Sequence, residues 1–192
     1  MDNFHEEVAS KYNKTPSNIL YGLCWVAIVL FGILAMMGLS SLMALQFSVS
    51  AVAYFVVFGG LAVLLWFKKD NLRIEYDYTF TNGDLDVGKV FGNSRRRLMT
   101  SLSMKNVETA GMVTHQSFQR FMNDNGVKKH NWFVNRGANL SYFYFQKENQ
   151  KHENLKHVII LELSDEMLAM LRPYLRFGVW QGEGGQQVGP RF

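Results

Sequence analysis

The chain has 192 residues, with 20 Lys and Arg against 16 Asp and Glu and a formal net charge of +4. One cysteine, Cys24, rules out an intramolecular disulfide framework. A mean hydropathy of −0.06 looks soluble, but it averages two segregated parts, because every Asp, Glu, Lys and Arg lies outside Ile19–Phe67.

Residues 1–18 read as an N-terminal cytoplasmic tail. Phe4, Val8 and Tyr12 recur every fourth position, which fits either a short amphipathic helix on the membrane or a frayed segment. Thr15-Pro16-Ser17 then reads as an N-cap followed by proline at the first helical position.

The uncharged run from Ile19 to Phe67 is too long for one membrane span, since a bilayer core takes roughly 20 helical residues. Two spans fit, at about Ile19–Leu42 and about Val49–Phe67, joined by a stretch with Gln46, Ser48 and Ser50. Lipid offers the backbone no partners, so both are read as helices of one transmembrane hairpin, residues 19–67. A soluble helix pair would need a polar face, and this run has none. Ala51-Val52-Ala53 resembles a signal cleavage site, but the apolar stretch before it is too long and Asp2, Glu6 and Glu7 precede it.

Tyr21, Trp25 and Trp66 mark one interface of the hairpin, and Lys11, Lys14, Lys68, Lys69 and Arg73 flank the same end. The positive-inside rule then places both termini in the cytoplasm and the chain in the inner membrane. Small residues at Gly22, Ala27, Gly32, Ala35, Gly38, Gly59 and Gly60 suit close helix packing within the hairpin, or pairing with a protein partner or a second copy. The spans hold no ionisable group of the kind that serves a proton relay, voltage sensor or ion path.

After the hairpin the period becomes two. Ile74, Tyr76, Tyr78 and Phe80 alternate with Glu75, Asp77 and Thr79, and Asn82-Gly83 is a strong hairpin turn. That turn sets Phe80 opposite Leu85, Tyr78 opposite Val87, Tyr76 opposite Lys89 and Ile74 opposite Phe91, with the Lys89 stem along the Tyr76 ring. The returning strand brings Gly92-Asn93-Ser94 back toward the membrane, followed by Arg95-Arg96-Arg97. Lys68, Lys69, Arg73, Arg95, Arg96 and Arg97 are thus the candidate lipid-binding cluster, each worth roughly 1 kcal/mol beside anionic lipid.

Further strands are expected at Arg96–Ser103, with Leu98 and Leu102 on one face, then at Val107–Val113, Lys129–Val134, Leu140–Gln146 and His157–Leu163. A short helix fits Phe118–Met122, and Lys147–Lys156 reads as a charged loop. The run Tyr142-Phe143-Tyr144-Phe145 fits a strand buried on both faces. Ser164 caps a final helix through Met167, Leu168 and Leu171, ending near Pro173, and the glycine-rich residues 178–192 read as a flexible tail.

This order of elements resembles the pleckstrin-homology-like architecture, two sheets with a C-terminal helix, here over residues 70–177. The fold class expected is a membrane α-helical hairpin plus a mainly antiparallel β domain of about seven strands with a C-terminal helix. The runs Ile74-Glu75-Tyr76-Asp77-Tyr78, Thr81-Asn82-Gly83-Asp84-Leu85-Asp86-Val87 and Arg95-Arg96-Arg97-Leu98 also resemble an uncharacterised bacterial family of small two-span membrane proteins. The chain departs from it in Gly92-Asn93-Ser94, where further basic residues are expected. The resemblance implies the layout and no activity.

No catalytic constellation, metal-ligand set or cofactor fingerprint stands out, so no enzyme, metal or cofactor is expected. His152-Glu153 and His157 miss the zinc-protease spacing, and His115 and His130 read as isolated surface groups. Despite the basic excess, nothing resembles a nucleic-acid module. The function expected is a non-enzymatic, membrane-anchored module whose cytoplasmic β domain contacts anionic lipid or a protein partner. The alternative is a scaffold subunit assembling through its spans.

Overall fold

A computed structural model describes residues 3–44, 49–92, 94–148 and 154–182. The link at Gln46 and Ser48, the turn residue Asn93, residues 149–153 with the His152-Glu153 pair, and residues 183–192 of the tail lie outside the described residues, while the two ends of the expected charged loop, 147–148 and 154–156, are strand. The chain forms two compact units, one helical (Asn13–Ile74 with Phe91–Arg95) and one rich in strands (Met1–Tyr12, Glu75–Val90 and Arg96–Phe192).

In the helical unit, α1 spans Thr15–Met43 and α2 spans Val49–Lys68. Both are long and apolar enough to cross a membrane, and little of either is buried within the structure. That exposure is what lipid-facing helices require and what the core helices of a soluble protein do not have. The start of α1 differs from expectation in one detail. The first-turn amide of Thr15 donates to Asn13 Oδ1 at 3.0 Å, while Lys14 occupies the N-cap position and its side chain makes no capping bond. Asn13, not Thr15, therefore supplies the capping oxygen.

The helices meet through small residues and rings. At Gly38 a Cβ would lie 2.7 Å from the Ala51 carbonyl oxygen and the Phe55 nitrogen, so only glycine permits this approach. Phe58 packs on Tyr54 and Phe31, with centroids 5.4 and 5.9 Å apart.

The strand-rich unit has two sheets. The first orders β1 (Phe4–Ala9), β2 (Ile74–Thr81), β3 (Asp84–Phe91) and β4 (Arg95–Ser103) in sequence. The second orders β6 (Val127–Trp132), β8 (Asn154–Leu161), β7 (Ser141–Glu148), β5 (Val107–Met112) and β9 (Trp180–Gln181). Helix α3 (Gln116–Asn123) follows β5, and α4 (Asp165–Leu171) follows β8. The architecture is thus the expected one, with nine strands where about seven were anticipated.

Two strands are additions. The first corrects the reading of the N-terminal segment: residues 4–9 form neither a helix nor a tail. They pair antiparallel with β2, with Glu6 opposite Thr79 and Val8 opposite Asp77. The two-helix hairpin is therefore inserted between the first and second strands of one sheet. The second is β9, which extends β5 in parallel with Ala110 opposite Trp180, so part of the expected flexible tail is an edge strand. Gly111 makes room for it, since a Cβ there would collide with the Gln181 carbonyl oxygen. The β6–β8 pair is also parallel, which makes the second sheet mixed.

The Asn82-Gly83 turn forms as expected, with φ of +50° and +101°. Tyr78, Phe80, Leu85 and Val87 are fully buried, and the Lys89 ammonium sits 5.8 Å from the Tyr76 ring centre. Leu98 and Leu102 share parity along β4, but Leu98 is 62 % exposed while Leu102 is buried. On the second sheet, Tyr142 and Tyr144 pack with Phe118 of α3, while Phe143 and Phe145 are buried on the opposite face. Tyr78 joins the sheets: its hydroxyl donates to the Trp132 carbonyl at 2.6 Å and accepts from the Glu162 amide at 3.3 Å. Ser164 caps α4, accepting from the Met167 amide at 3.1 Å.

Strand β1 is fastened at several points besides its ladder. Glu7 accepts from the Ser164 amide at 3.1 Å, and Asn135 Nδ2 donates to the Ser10 carbonyl at 2.9 Å. The Tyr12 amide donates to Asn135 Oδ1 at 3.1 Å. Glu162 in turn accepts from the Val134 and Asn135 amides and from Asn135 Nδ2. These carboxylates line a cavity of about 320 Å³ with Tyr12, Asn139 and Asp165. Glu7 and Glu162 are occupied in satisfying backbone donors, so the cavity is a fastening of β1 more than a ligand site.

Candidate functional site

The six basic candidates fall into two groups. Lys68, Lys69, Arg73 and Arg95 belong to the helical unit, and Arg96 and Arg97 to the strand-rich unit.

At the charged end of the hairpin, α2 runs into a 3-10 turn, Lys69–Leu72. There the chain builds a collar of rings and ions. Trp25 of α1 and Trp66 of α2 meet edge to face at 5.2 Å. The Lys69 ammonium lies 4.7 Å from the Trp66 ring centre, 5.2 Å from Trp25 and 5.8 Å from Tyr21. It donates to Asp70 Oδ1 at 3.0 Å, and the residue is only 8 % exposed. The Arg73 guanidinium stacks 3.9 Å above Tyr21. Arg95 reaches the other oxygen of Asp70 at 3.4 Å. Gly92 has φ of +56°, and a Cβ there would lie 3.4 Å from Asp70 Oδ1.

Three cations therefore surround one carboxylate and three rings. Cation–π attraction is worth about 0.5–1 kcal/mol when exposed and about 2 when desolvated, so the rings hold Lys69 as firmly as the ion pair does. The aromatic belt and two of the flanking cations legible in the sequence, Lys69 and Arg73, are one packed assembly. Lys68 is exposed, and the Arg95 side chain is 64 % exposed.

Arg96 has a different role. It crosses the outer face of the first sheet above Gly88, where a Cβ would lie 3.1 Å from its Nε. It meets Asp77 Oδ2 at 2.8 Å, Thr79 Oγ1 at 3.2 Å and Glu6 at 3.9 Å. Asp77 is buried, and its Oδ1 has no donor. Burial raises the Asp77 pKa, Arg96 lowers it, and the nearby Glu6 raises it again. Arg96 is thus a brace between β1, β2 and β4. Arg97 is exposed.

The histidines differ from their expected isolation. His115 caps α3, with Nδ1 2.7 Å from Ser117 Oγ, and Ser117 Oγ lies 2.6 Å from the Tyr142 hydroxyl. His130 Nε2 lies 3.1 Å from His157 Nδ1. No sequence spacing signals this contact; the parallel pairing of β6 with β8 creates it. Among the described residues no group of three or more His, Cys, Asp or Glu side chains is placed to hold a metal ion.

No curated protein and no solved structure matches the chain significantly. A family model described as bacterial PH-like domain (DUF6106) matches residues 1–181, from the segment before β1 through β9 and across the inserted hairpin. With nearly its whole length matched, the chain belongs to this bacterial PH-like domain family.

Proposed function

We propose that this chain is a non-enzymatic module anchored in the bacterial inner membrane by its hairpin, and that the collar and neighbouring basic side chains contact anionic lipid at the cytoplasmic face. The observation that carries the reading is the collar: aromatic rings and cations gathered at one end of two apolar helices. Trp and Tyr at headgroup depth with Lys and Arg beside them fit a membrane interface.

Strand pairing supports the sidedness. β1 precedes α1 and β2 follows α2, yet they share a ladder. If each helix crosses once, both flanks lie on one face. The basic flanks assign that face to the cytoplasm. Lys68, Arg95 and Arg97 are the exposed members and would make the lipid contact, while Lys69 and Arg73 hold the helix ends and Arg96 braces the sheet.

The test uses the full chain, because a fragment beginning after the hairpin would lack β1. Spin-labelled phosphatidylglycerol and phosphatidylcholine are compared at the reconstituted protein. Selectivity for the anionic lipid, weakening with salt and falling in Lys68→Ala/Arg95→Ala/Arg97→Ala, supports the reading. Equal association of both lipids refutes it.

A second reading, a scaffold subunit, draws on Gly22, Gly32 and Gly60. A Cβ at any of them meets nothing within 4 Å, whereas Gly38 is consumed inside the hairpin and Gly59 faces Ala35. Substituting Leu at the three open positions would leave the hairpin intact and abolish recovery of any partner helix. Detergent-extracted protein that is monomeric and partner-free before substitution counts against it.

A further inference from the structure

A row of four rings crosses one face of the second sheet. Trp132, His130, His157 and Phe145 follow one another with centroid spacings of 5.0, 5.3 and 5.5 Å. The two imidazoles are nearly parallel, 13° apart, and joined nitrogen to nitrogen at 3.1 Å. Trp132 and Phe145 at the ends are buried, while both histidines remain partly open to solvent.

The charges around this row have one sign. Lys128 stands directly opposite His157 in the β6–β8 ladder, and Lys147 lies two residues beyond Phe145 on the same face of β7. Lys128 acts on both imidazoles and Lys147 on His157. Two other nearby lysines are engaged elsewhere: Lys129 donates to the Met122 carbonyl, and Lys156 pairs with Asp124 at 3.9 Å.

Neutral imidazoles share only one hydrogen bond across this contact, because one nitrogen donates and the other accepts. When both rings are protonated, both facing nitrogens are donors and neither can accept from the other, so the direct contact opens and an acceptor oxygen entering between them would take both N–H groups. Charge-assisted bonds to phosphate oxygens are about twice as strong as neutral ones.

We propose that the His130–His157 shelf, with Lys128 and Lys147, binds a phosphate-bearing anion. The donor pair, the flanking cations and the partial exposure all serve that one ligand chemistry. Binding is linked to protonation: burial, then the neighbouring positive charges, hold both imidazoles toward the neutral form, and an anion reverses that bias. The site shares no residue with the collar, so it stands or falls independently of the lipid reading there.

The experiment titrates inorganic phosphate into the full chain held in nanodiscs of phosphatidylcholine. Calorimetry is run at pH 6 in two buffers of different ionisation heat, so that proton uptake is counted directly. A second arm omits phosphate and places phosphatidic acid in the discs, with histidine NMR shifts as the readout. The expected result is binding accompanied by proton uptake. Lys128→Ala/Lys147→Ala should weaken it roughly tenfold or more, equivalent to about 1.4 kcal/mol, while the ring row stays intact. His157→Gln should remove the proton uptake. A response to free phosphate assigns the soluble anion, and a response only to phosphatidic acid assigns the headgroup; either supports the site. No response in both arms, or binding unchanged in both variants, overturns it.

Discussion

Replacing Tyr78 by Phe isolates the bond that ties the two sheets. The ring is fully buried and would remain so, so the apolar contribution is unchanged. What is lost is a hydroxyl that donates to the Trp132 carbonyl at 2.6 Å and accepts from the Glu162 amide at 3.3 Å. A buried polar group left without a partner costs about 1–3 kcal/mol. Two such groups are involved, one of them at a long distance, so a loss of about 2 kcal/mol is expected. For a domain of this size that corresponds to a fall in Tm of roughly 6–10 °C. Burial drives the Tyr78 hydroxyl pKa far upward, so it remains a donor across any working pH and the loss should not depend on pH. The assay is thermal unfolding of the full chain in detergent, followed by near-ultraviolet circular dichroism, because the hairpin dominates the helical signal. Tyr142→Phe is the comparison, since its hydroxyl bonds a partly exposed Ser117 and should cost less than about 1 kcal/mol. Equal effects of the two substitutions, or a Tyr78→Phe shift under about 2 °C, would refute the claim that this bond joins the sheets.

Two further outcomes follow from particular contacts. Asp77 has a raised pKa, so its charge weakens the folded state near neutrality. That cost is relieved as pH falls through the raised folded value toward the unfolded value of 3.8. The stability difference between wild type and Asp77→Asn, measured by denaturant midpoints from pH 7 to pH 4, should therefore shift in favour of wild type on acidification. Gly111→Ala should displace β9, because the new methyl collides with the Gln181 carbonyl, and should alter Trp180 fluorescence and speed proteolysis near the C-terminus while the core transition stays within about 1 kcal/mol.

The parts of the fold that were legible in sequence are those whose signals are local. An uncharged run sets the hairpin, Asn82-Gly83 sets the turn, and Ser164 caps α4. Strand β1 escaped because its apolar residues point the wrong way. Phe4 and Val8 are exposed, while His5, Glu7 and Ala9 face inward, so no buried alternation appears. A spacing of four also satisfies both a helix and one face of a strand. β9 has two residues, too few for any pattern. Leu98 and Leu102 share parity along β4, but only Leu102 is buried, which alternation does not reveal. At the candidate site, the aromatic belt and basic flanks were readable, but Asp70 as their shared anchor was not. The bracing of Arg96 by Asp77 and Glu6 depends on the absence of a side chain at Gly88, two strands away from Glu6.

If the hairpin crosses the membrane, the strands that precede and follow it must pair on one side of the bilayer. Glu6 and Thr79 stand opposite each other in the β1–β2 ladder. The neighbouring Asn82 amide bonds the Asn3 carbonyl, which makes Glu6–Thr79 a non-hydrogen-bonded pair with an expected Cα separation of about 4.5 Å, within disulfide range. The measurement is oxidation of Glu6→Cys/Thr79→Cys, with Cys24 replaced by Ser, in native membranes, together with thiol labelling of reduced protein from each side. An intramolecular disulfide is expected, with two thiols that label only from the cytoplasmic face. Thiols reached from opposite faces, or a pair that labels freely and never bonds, would contradict this pairing.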